Sequence, residues 1–450
     1  MLHCSSHVSR QVHTPCLASL PRKLSNGMSI FATGQTLTTT AAPAEWIDSS
    51  HATRRLLITL ALMTLGNASM YVMAVVLPAV QAEFGVGRGN ASFPYTLMML
   101  GFGLGGMWMG KLADRRGVMT PLLIGALGTG LGFTWAGMSG SLLSFSLAHG
   151  VMLGLLGSSV TFAPLLAETA LWWNKRRGIA VAVCASGNYL AGTVWPALAQ
   201  RGIDAIGWRD TYLLLGLVCG GGMALLAMAM RQRPPLPQAP VAPPSMGSQT
   251  VVHTTERPMG LSVGMAQGLL FVAGVACCVA MAMPQVHIVA YCSDLGFGAA
   301  RGAEMLSLML GAGIVSRLVS GAICDRIGGL RTLLLGSVLQ GVALLLFLPF
   351  DGLVSLYIIA ALFGLFQGGI VPSYAIIIRE YFSPKEAGAR TGAVIFATLL
   401  GMALGGWLSG VIFDMTGSYR AAFLNGIAWN LLNMAIAFSL LWRVRRMAAA

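Results

Sequence analysis

From residue 56 onward the chain alternates long apolar runs with short polar loops. The runs cover residues 56–78, 90–110, 119–138, 142–168, 178–200 and 211–230, then 262–283, 303–323, 332–350, 353–378, 392–413 and 421–442. Each lies near the ~20 residues that an α-helix needs to cross a hydrocarbon core. The seventh run continues past Pro284 towards Tyr291. Between the sixth and seventh, Pro, Ser and Thr crowd together and no apolar period survives, the composition of a flexible linker. The pattern predicts an all-α polytopic membrane protein with twelve transmembrane helices in two six-helix pseudo-repeat bundles. The corresponding segments are a polar tail (1–53), an N-terminal bundle (54–231), a Pro-rich linker (232–260), a C-terminal bundle (261–443) and a short tail (444–450).

Composition agrees: 56% of the 450 residues are hydrophobic and 10% charged, where a soluble domain carries about 25% charged residues. The net charge of +13 would suit nucleic acid, but the basic residues sit in short loops between apolar runs and form no soluble basic face. With the N-terminus inside, 22 of the 28 Lys and Arg fall in the tails and cytoplasmic loops. Only Arg88, Arg201, Arg209, Arg301 and Arg420 fall outside. The positive-inside rule therefore places both termini, the linker and the polar tail in the cytoplasm, in a cell (inner or plasma) membrane. The tail has no signal-peptide h-region, and Met28 is an alternative start. The eight cysteines show no metal-ligand spacing, and the six in or beside apolar runs read as small packing residues.

The halves repeat. Gly110-Lys-Leu-Ala-Asp114-Arg115-Arg-Gly117 recurs as Gly321-Ala-Ile-Cys-Asp325-Arg326-Ile-Gly328, and Gly207-Trp-Arg209 is echoed by Gly417-Ser-Tyr-Arg420. Two parallel repeats of six helices are an architecture that places a substrate site near the midplane. One charge stands out against this background. Arg317 lies inside the eighth run, where a guanidinium costs at least ~2.5 kcal/mol to insert and cannot deprotonate. Its helical neighbours Gly313, Ile314, Ser320 and Gly321 are mostly small, and no Asp or Glu lies in the membrane to pair with it. A substrate carboxylate, held in bidentate fashion, is the expected partner.

These motifs resemble the major facilitator superfamily across roughly residues 54–446. The Gly-x-x-x-Asp-Arg-x-Gly turns are similar to its signature after helices 2 and 8, although Val118-Met119 replaces the usual basic pair. Trp172-Trp-Asn-Lys175-Arg176-Arg177-Gly178, Ala185-Ser-Gly187, Pro196 and Gln367-Gly-Gly-Ile-Val-Pro372-Ser373-Tyr374 resemble the monocarboxylate transporters and the oxalate/formate-antiporter-like group. The resemblance implies the major facilitator fold and a helix-8 arginine, Arg317, that binds substrate carboxylate. It also implies that the two acidic turns (Asp114, Arg115, Gly117 and Asp325, Arg326, Gly328) act as conformational latches. Asp114 is expected to face the N-terminus of helix 11. Two departures count. The aspartate usual one turn before the arginine is Gly313, which removes the simplest proton-coupling pair. Helix 11 also lacks a lysine, which argues against a dicarboxylate held by two cations.

Further polar candidates for the substrate site are Asn67, Tyr71, Asn188, Tyr189, Gln367, Ser373 and Tyr374, each also able to serve as an interhelical bond. His287 and Tyr291 are candidates for a gate. Pro164 and Pro372 occupy comparable places in the two halves and loosen helices that bend. Gly401-x-x-x-Gly405 and Gly406-x-x-x-Gly410 read as close-packing surfaces. Gly101-Phe-Gly103-Leu-Gly-Gly106 fits a dinucleotide fingerprint but follows no strand, so that reading is rejected. With no nucleophile–base pair, metal cluster or nucleotide motif, neither an enzyme nor a cofactor is expected. The expectation is a monomeric carrier in contact with lipid, moving a small organic anion, most simply a monocarboxylate, by proton symport or anion exchange. The competing readings are an efflux carrier for a hydrophobic or aromatic compound and a membrane sensor that binds without transporting.

Overall fold

A computed structural model describes residues 44–234, 258–383 and 386–449. The tail before residue 44 and most of the expected linker lie outside these residues. The helices are α1 (Ser50–Phe84), α2 (Arg88–Arg116), α3 (Met119–Gly137), α4 (Leu142–Leu171), α5 (177–206), α6 (208–229), α7 (Val263–Asp294), α8 (Ala299–Ile327), α9 (Gly329–Leu346), α10 (Leu353–Tyr381), α11 (Ala387–Thr416) and α12 (Tyr419–Ala449). Among the described residues, ten continuous helices are long and apolar enough to cross a membrane. That number treats α5 and α6 as one helix, although Gly207 breaks it at φ 81° and ψ 163°. It also leaves out α2, whose apolar stretch is diluted by glycine and other weakly hydropathic residues. Outward faces carry exposed Leu217, Leu225 and Val354, a surface suited to lipid rather than water.

The internal repeat survives in three dimensions. Helices α2 and α8 are both 29 residues long, and each stops at the glycine of its acidic turn, Gly117 at φ 81° and Gly328 at φ 83°. With ψ of 162° and 165°, both lie in a region essentially reserved for glycine. The motif glycines are therefore fixed by backbone geometry.

Several helices are interrupted, and the gaps are satisfied by neighbours. Asn67 divides α1, donating from Nδ2 to the Met63 carbonyl (2.8 Å) and to Thr161 Oγ1 (3.0 Å). Thr161 lies where α4 loosens through a π-helical stretch and a 3₁₀ turn before Pro164. Ser158 from the same turn donates to the Gly66 carbonyl at 2.9 Å. Two weakened helices thus supply the bonds that each has lost, as a water-poor interior requires. In the second half, α10 is interrupted at Gly368 and Gly369, just before Pro372. Cβ atoms at those glycines would meet the Gly313 carbonyl and Ser316 and Ser320 of α8.

The glycine stripe of α11 is divided between two partners. Gly401 and Gly405 lie against the Val275 and Val279 carbonyls of α7, whereas Gly406 and Gly410 lie against Tyr95 and the Arg88 carbonyl of α2. The second contact joins a first-half helix to a second-half one. A similar contact joins α5 to α8, with Gly192 against Leu310 and Gly313 against Tyr189. One acidic residue in a span also finds a partner. Glu168, near the basic end of α4, accepts from Arg55 Nη2 at 2.7 Å and from the Trp172 indole at 3.0 Å. Both charged side chains of this pair are buried, which corrects the expectation that no carboxylate sits in a span.

Candidate functional site

A cavity of about 100 Å³ lies among α1, α2, α4, α5, α7, α8, α10 and α11. At about 10–15 Å³ per water, it has room for a small molecule of a few heavy atoms. Its polar lining is Tyr71, Asn188, Tyr189, Gln285, Arg317 and Thr398, and its apolar lining includes Met70, Phe102, Phe162, Met281 and Met402. Among the described residues no carboxylate contributes to the wall. Arg317 stands ten residues before the end of α8, about 15 Å along the helix at 1.5 Å per residue.

Of the eight expected substrate residues, the cavity gathers four. Arg317, Tyr71, Asn188 and Tyr189 all line it. The Tyr71 hydroxyl donates to Asn188 Oδ1 at 2.9 Å, tying α1 to α5. Gln367 is buried one layer back, where its Oε1 accepts from Gln285 Nε2 at 3.0 Å. Asn67 is occupied at the α1–α4 junction. Ser373 bonds back to the Gly369 carbonyl, and Tyr374 donates to Asn433 Oδ1 of α12 at 3.1 Å. The structure thus places Asn67 and Tyr374 in helix–helix contacts and Ser373 in a bond within its own helix. Gln285, Thr398 and the methionines of the lining had no sequence signal, because only packing says which face of a uniformly apolar helix meets the cavity.

Around Arg317 the geometry differs from the expectation. Its Cζ lies 4.3 Å from the centre of the Tyr189 ring, a stacking distance for a cation on an aromatic face. Nη1 donates to the Ala185 carbonyl at 2.9 Å, while Nε is buried without a partner. The room left by Gly313 is not empty. A Cβ there would lie 2.8 Å from Tyr189 Cε1 and 2.9 Å from Cδ1. The ring fills the place of the missing aspartate and orients the guanidinium from the opposite half. Only one of five donors has a protein acceptor among the described residues. The half-buried cation has no counter-charge among the described residues, an arrangement whose cost an arriving anion would relieve.

The acidic turns sit at the end of the bundle bearing most of the basic loops. Asp114 and Asp325 are exposed, as are Arg115, Arg116 and Arg326. Among the described residues neither carboxylate has a hydrogen-bond or ion-pair partner, so Asp114 does not meet α11 in this conformation. The chemistry expected of it occurs elsewhere. Glu380 accepts from the Gly329 amide that opens α9 (3.0 and 3.2 Å).

At the opposite end, Asp414 of α11 accepts from the first amides of α2, Arg88 N at 2.7 Å and Gly89 N at 2.8 Å. The carboxylate therefore caps a helix N-terminus across the two halves. The Arg88 side chain is almost fully buried. It donates to both oxygens of Asp294 at 3.1 Å and to the Tyr419 hydroxyl at 2.7 Å, and it lies over Phe413. His287 is wholly buried beside this cluster, with Tyr291 half-buried next to Tyr419. Among the described residues, no side-chain hydrogen bond joins the halves between Arg317 and the basic end, whereas several do so at the opposite end.

Comparisons with known proteins agree with this architecture. A Major Facilitator Superfamily profile matches residues 56–355 and 293–449. The chain is 27% identical over 358 residues to a protein named monocarboxylate transporter 13 of Rattus norvegicus, covering 78% of each chain. It is 26% identical over 329 residues to monocarboxylate transporter 11 of Homo sapiens, covering 70% of this chain and 66% of the relative. A solved bacterial homologue of the human lysosomal transporter Spinster, in an inward-facing and occupied conformation, superposes with a TM-score of 0.65. That match is 14% identical and covers 88% of this chain and 97% of the other.

Proposed function

Because the chain belongs to the Major Facilitator Superfamily, as a multi-pass membrane transporter and not an enzyme, we propose that it carries a small organic anion, a monocarboxylate, by alternating access. The observation that carries this reading is Arg317: a cation on the cavity wall, stacked on Tyr189, with free donors and, among the described residues, no carboxylate partner. A single cation suits a single carboxylate, and the Met and Phe lining suits an apolar remainder. The printed names of two relatives, monocarboxylate transporters 13 and 11, point the same way. Proton symport and anion exchange are the two coupling modes that this site accommodates.

In this reading α2 spans the membrane and Gly207 separates two spans, giving twelve in two bundles of six. The basic loops and both termini face the cytoplasm. The conformer is then closed outside through Arg88, Asp294, Asp414 and Tyr419, and open inside. Asp114 and Asp325 engage when the inner end closes. The apolar lining also favours a second reading, carriage of an uncharged aromatic or hydrophobic compound, in which Arg317 is dispensable.

The test is tracer uptake into proteoliposomes over a panel of mono- and dicarboxylates, comparing wild type with Arg317→Ala and Arg317→Lys. Monocarboxylate uptake should fall by at least about tenfold in Arg317→Ala, the loss of one charge-assisted contact of about 1.5–3 kcal/mol. Arg317→Lys should recover it only in part, since an ammonium cannot form the bidentate pair. Undiminished carboxylate uptake by Arg317→Ala refutes the reading.

A further inference from the structure

The closed outer end contains a hydrogen-bond chain whose direction is fixed by its terminal groups. Arg88 can only donate, and the Gly406 carbonyl can only accept. Between them lie the Tyr419 hydroxyl, 2.7 Å from Arg88 Nη1, and the His287 ring, 3.1 Å from that hydroxyl through Nδ1 and 2.7 Å from the carbonyl through Nε2. Nε2 must therefore carry the ring hydrogen. In the neutral ring Nδ1 then accepts from Tyr419, and the Tyr419 oxygen accepts from Arg88. The closed arrangement uses a neutral imidazole in one tautomer, with both ring nitrogens occupied.

From this geometry we propose that His287 is the proton-binding group that releases the outer gate. The proposal rests on the alternating-access reading above. A proton arriving from solvent adds to Nδ1, the one lone pair on the ring. The new N–H then points at the Tyr419 oxygen, which already accepts from Arg88, and the hydroxyl hydrogen loses its acceptor. Two cations now share one hydroxyl in a site closed to water, where like charges repel most strongly.

The groups acting on His287 are Arg88 of α2, Gly406 and Asp414 of α11, and Tyr419 of α12; on its own helix, Asp294 engages Arg88 and Tyr291 packs on Tyr419. The two carboxylates offset part of the repulsion. Both are already engaged, however, Asp294 by Arg88 and Asp414 by the α2 amides. The relief available is separation of Arg88, on the first half, from Tyr419 and His287, on the second. Opening then admits water to the ion. The sign follows: the closed form holds the neutral ring, so a proton is taken up on opening and lower pH favours the open form. Among the described residues the substrate cavity contains no carboxylate or histidine, and the proposal puts the receptor of a driving proton here, in the gate.

The experiment is a distance measurement between spin labels on Gly140→Cys and Asp351→Cys, exposed loop positions of the first and second half at this end. Cys4 and Cys16 are replaced by Ser, because the other six native cysteines are buried. The protein is held in lipid nanodiscs without substrate. Lowering pH from about 7.5 to about 5.5 should raise the long-distance population, with the open-to-closed ratio changing by up to about tenfold per pH unit for one linked proton. His287→Gln, which like the neutral ring offers a donor group and an acceptor group but cannot take up a proton, should keep the short distance at both values. Tyr419→Phe, which cuts the chain, should populate the long distance already at about pH 7.5.

An unchanged wild-type distribution overturns the proposal. So does a pH response that persists in His287→Gln, or a Tyr419→Phe protein as closed as wild type. The readout needs no substrate, so carboxylate uptake unaffected by Arg317→Ala would refute the transport reading and leave this result standing.

Discussion

Gly313 gives the sharpest test of how Arg317 is held. In Gly313→Ala the new methyl would sit 2.8 Å from Tyr189 Cε1, whereas carbon atoms rest at about 3.5–4.0 Å. The ring must retreat by about 0.7–1.2 Å, or α5 and α8 must separate. Overpacking of this kind costs about 1–3 kcal/mol. The guanidinium, now 4.3 Å from the ring centre, also loses part of a cation–aromatic attraction of about 0.5–2 kcal/mol. The apparent KM for carboxylate should rise about threefold to tenfold, since 1.4 kcal/mol corresponds to a factor of ten, and thermal stability should fall as well. The decisive arrangement is a double-mutant cycle with Tyr189→Leu, read by uptake KM and by thermal unfolding in detergent. With the ring gone, Gly313→Ala should cost little, giving a coupling of about 1–2 kcal/mol between the two sites. A Gly313→Ala protein with wild-type KM, or one whose penalty is the same in the Tyr189→Leu background, refutes the claim that the ring positions the arginine.

Asp414→Ala removes a carboxylate that accepts two α2 amides across the halves, a capping loss of about 1–2 kcal/mol. The outer-open population in the spin-label measurement should rise about fivefold to thirtyfold, and an unchanged distribution would mean that the cap does not hold the gate. Glu168→Ala leaves Arg55 buried without its partner. Breaking such a pair costs about 3–5 kcal/mol, so unfolding should shift to clearly lower temperature, and a shift no larger than that of an exposed-loop substitution counts against the pair.

Much of the scaffold was legible beforehand because it is dictated locally. Apolar runs near membrane length gave the helices, and the offset between the two Gly-x-x-x-Asp-Arg-x-Gly turns gave the repeat that α2 and α8 display. The glycine stripe of α11 announced close contacts but not that Gly401 and Gly405 face α7 while Gly406 and Gly410 face α2. Arg317 was visible as a charge out of place. Arg88 was not, because an arginine at a helix start looks like an ordinary loop residue until Asp294, Asp414 and Tyr419 close around it.

The sequence by itself determined the solvent, the helices, the repeated turns and the presence of one unpaired cation in the eighth span, because hydropathy and backbone sterics act over a few residues. Only the tertiary structure decided what the small residues around that cation were for. The space beside Gly313 belongs to the Tyr189 ring, whose helix lies more than a hundred residues away in the chain. It likewise decided that the carboxylate capping a helix across the halves is Asp414 and not Asp114. Both outcomes depend on which helices meet, and at which depth. That is settled by packing between uniformly apolar surfaces, on which a linear pattern of hydrophobic residues leaves no mark.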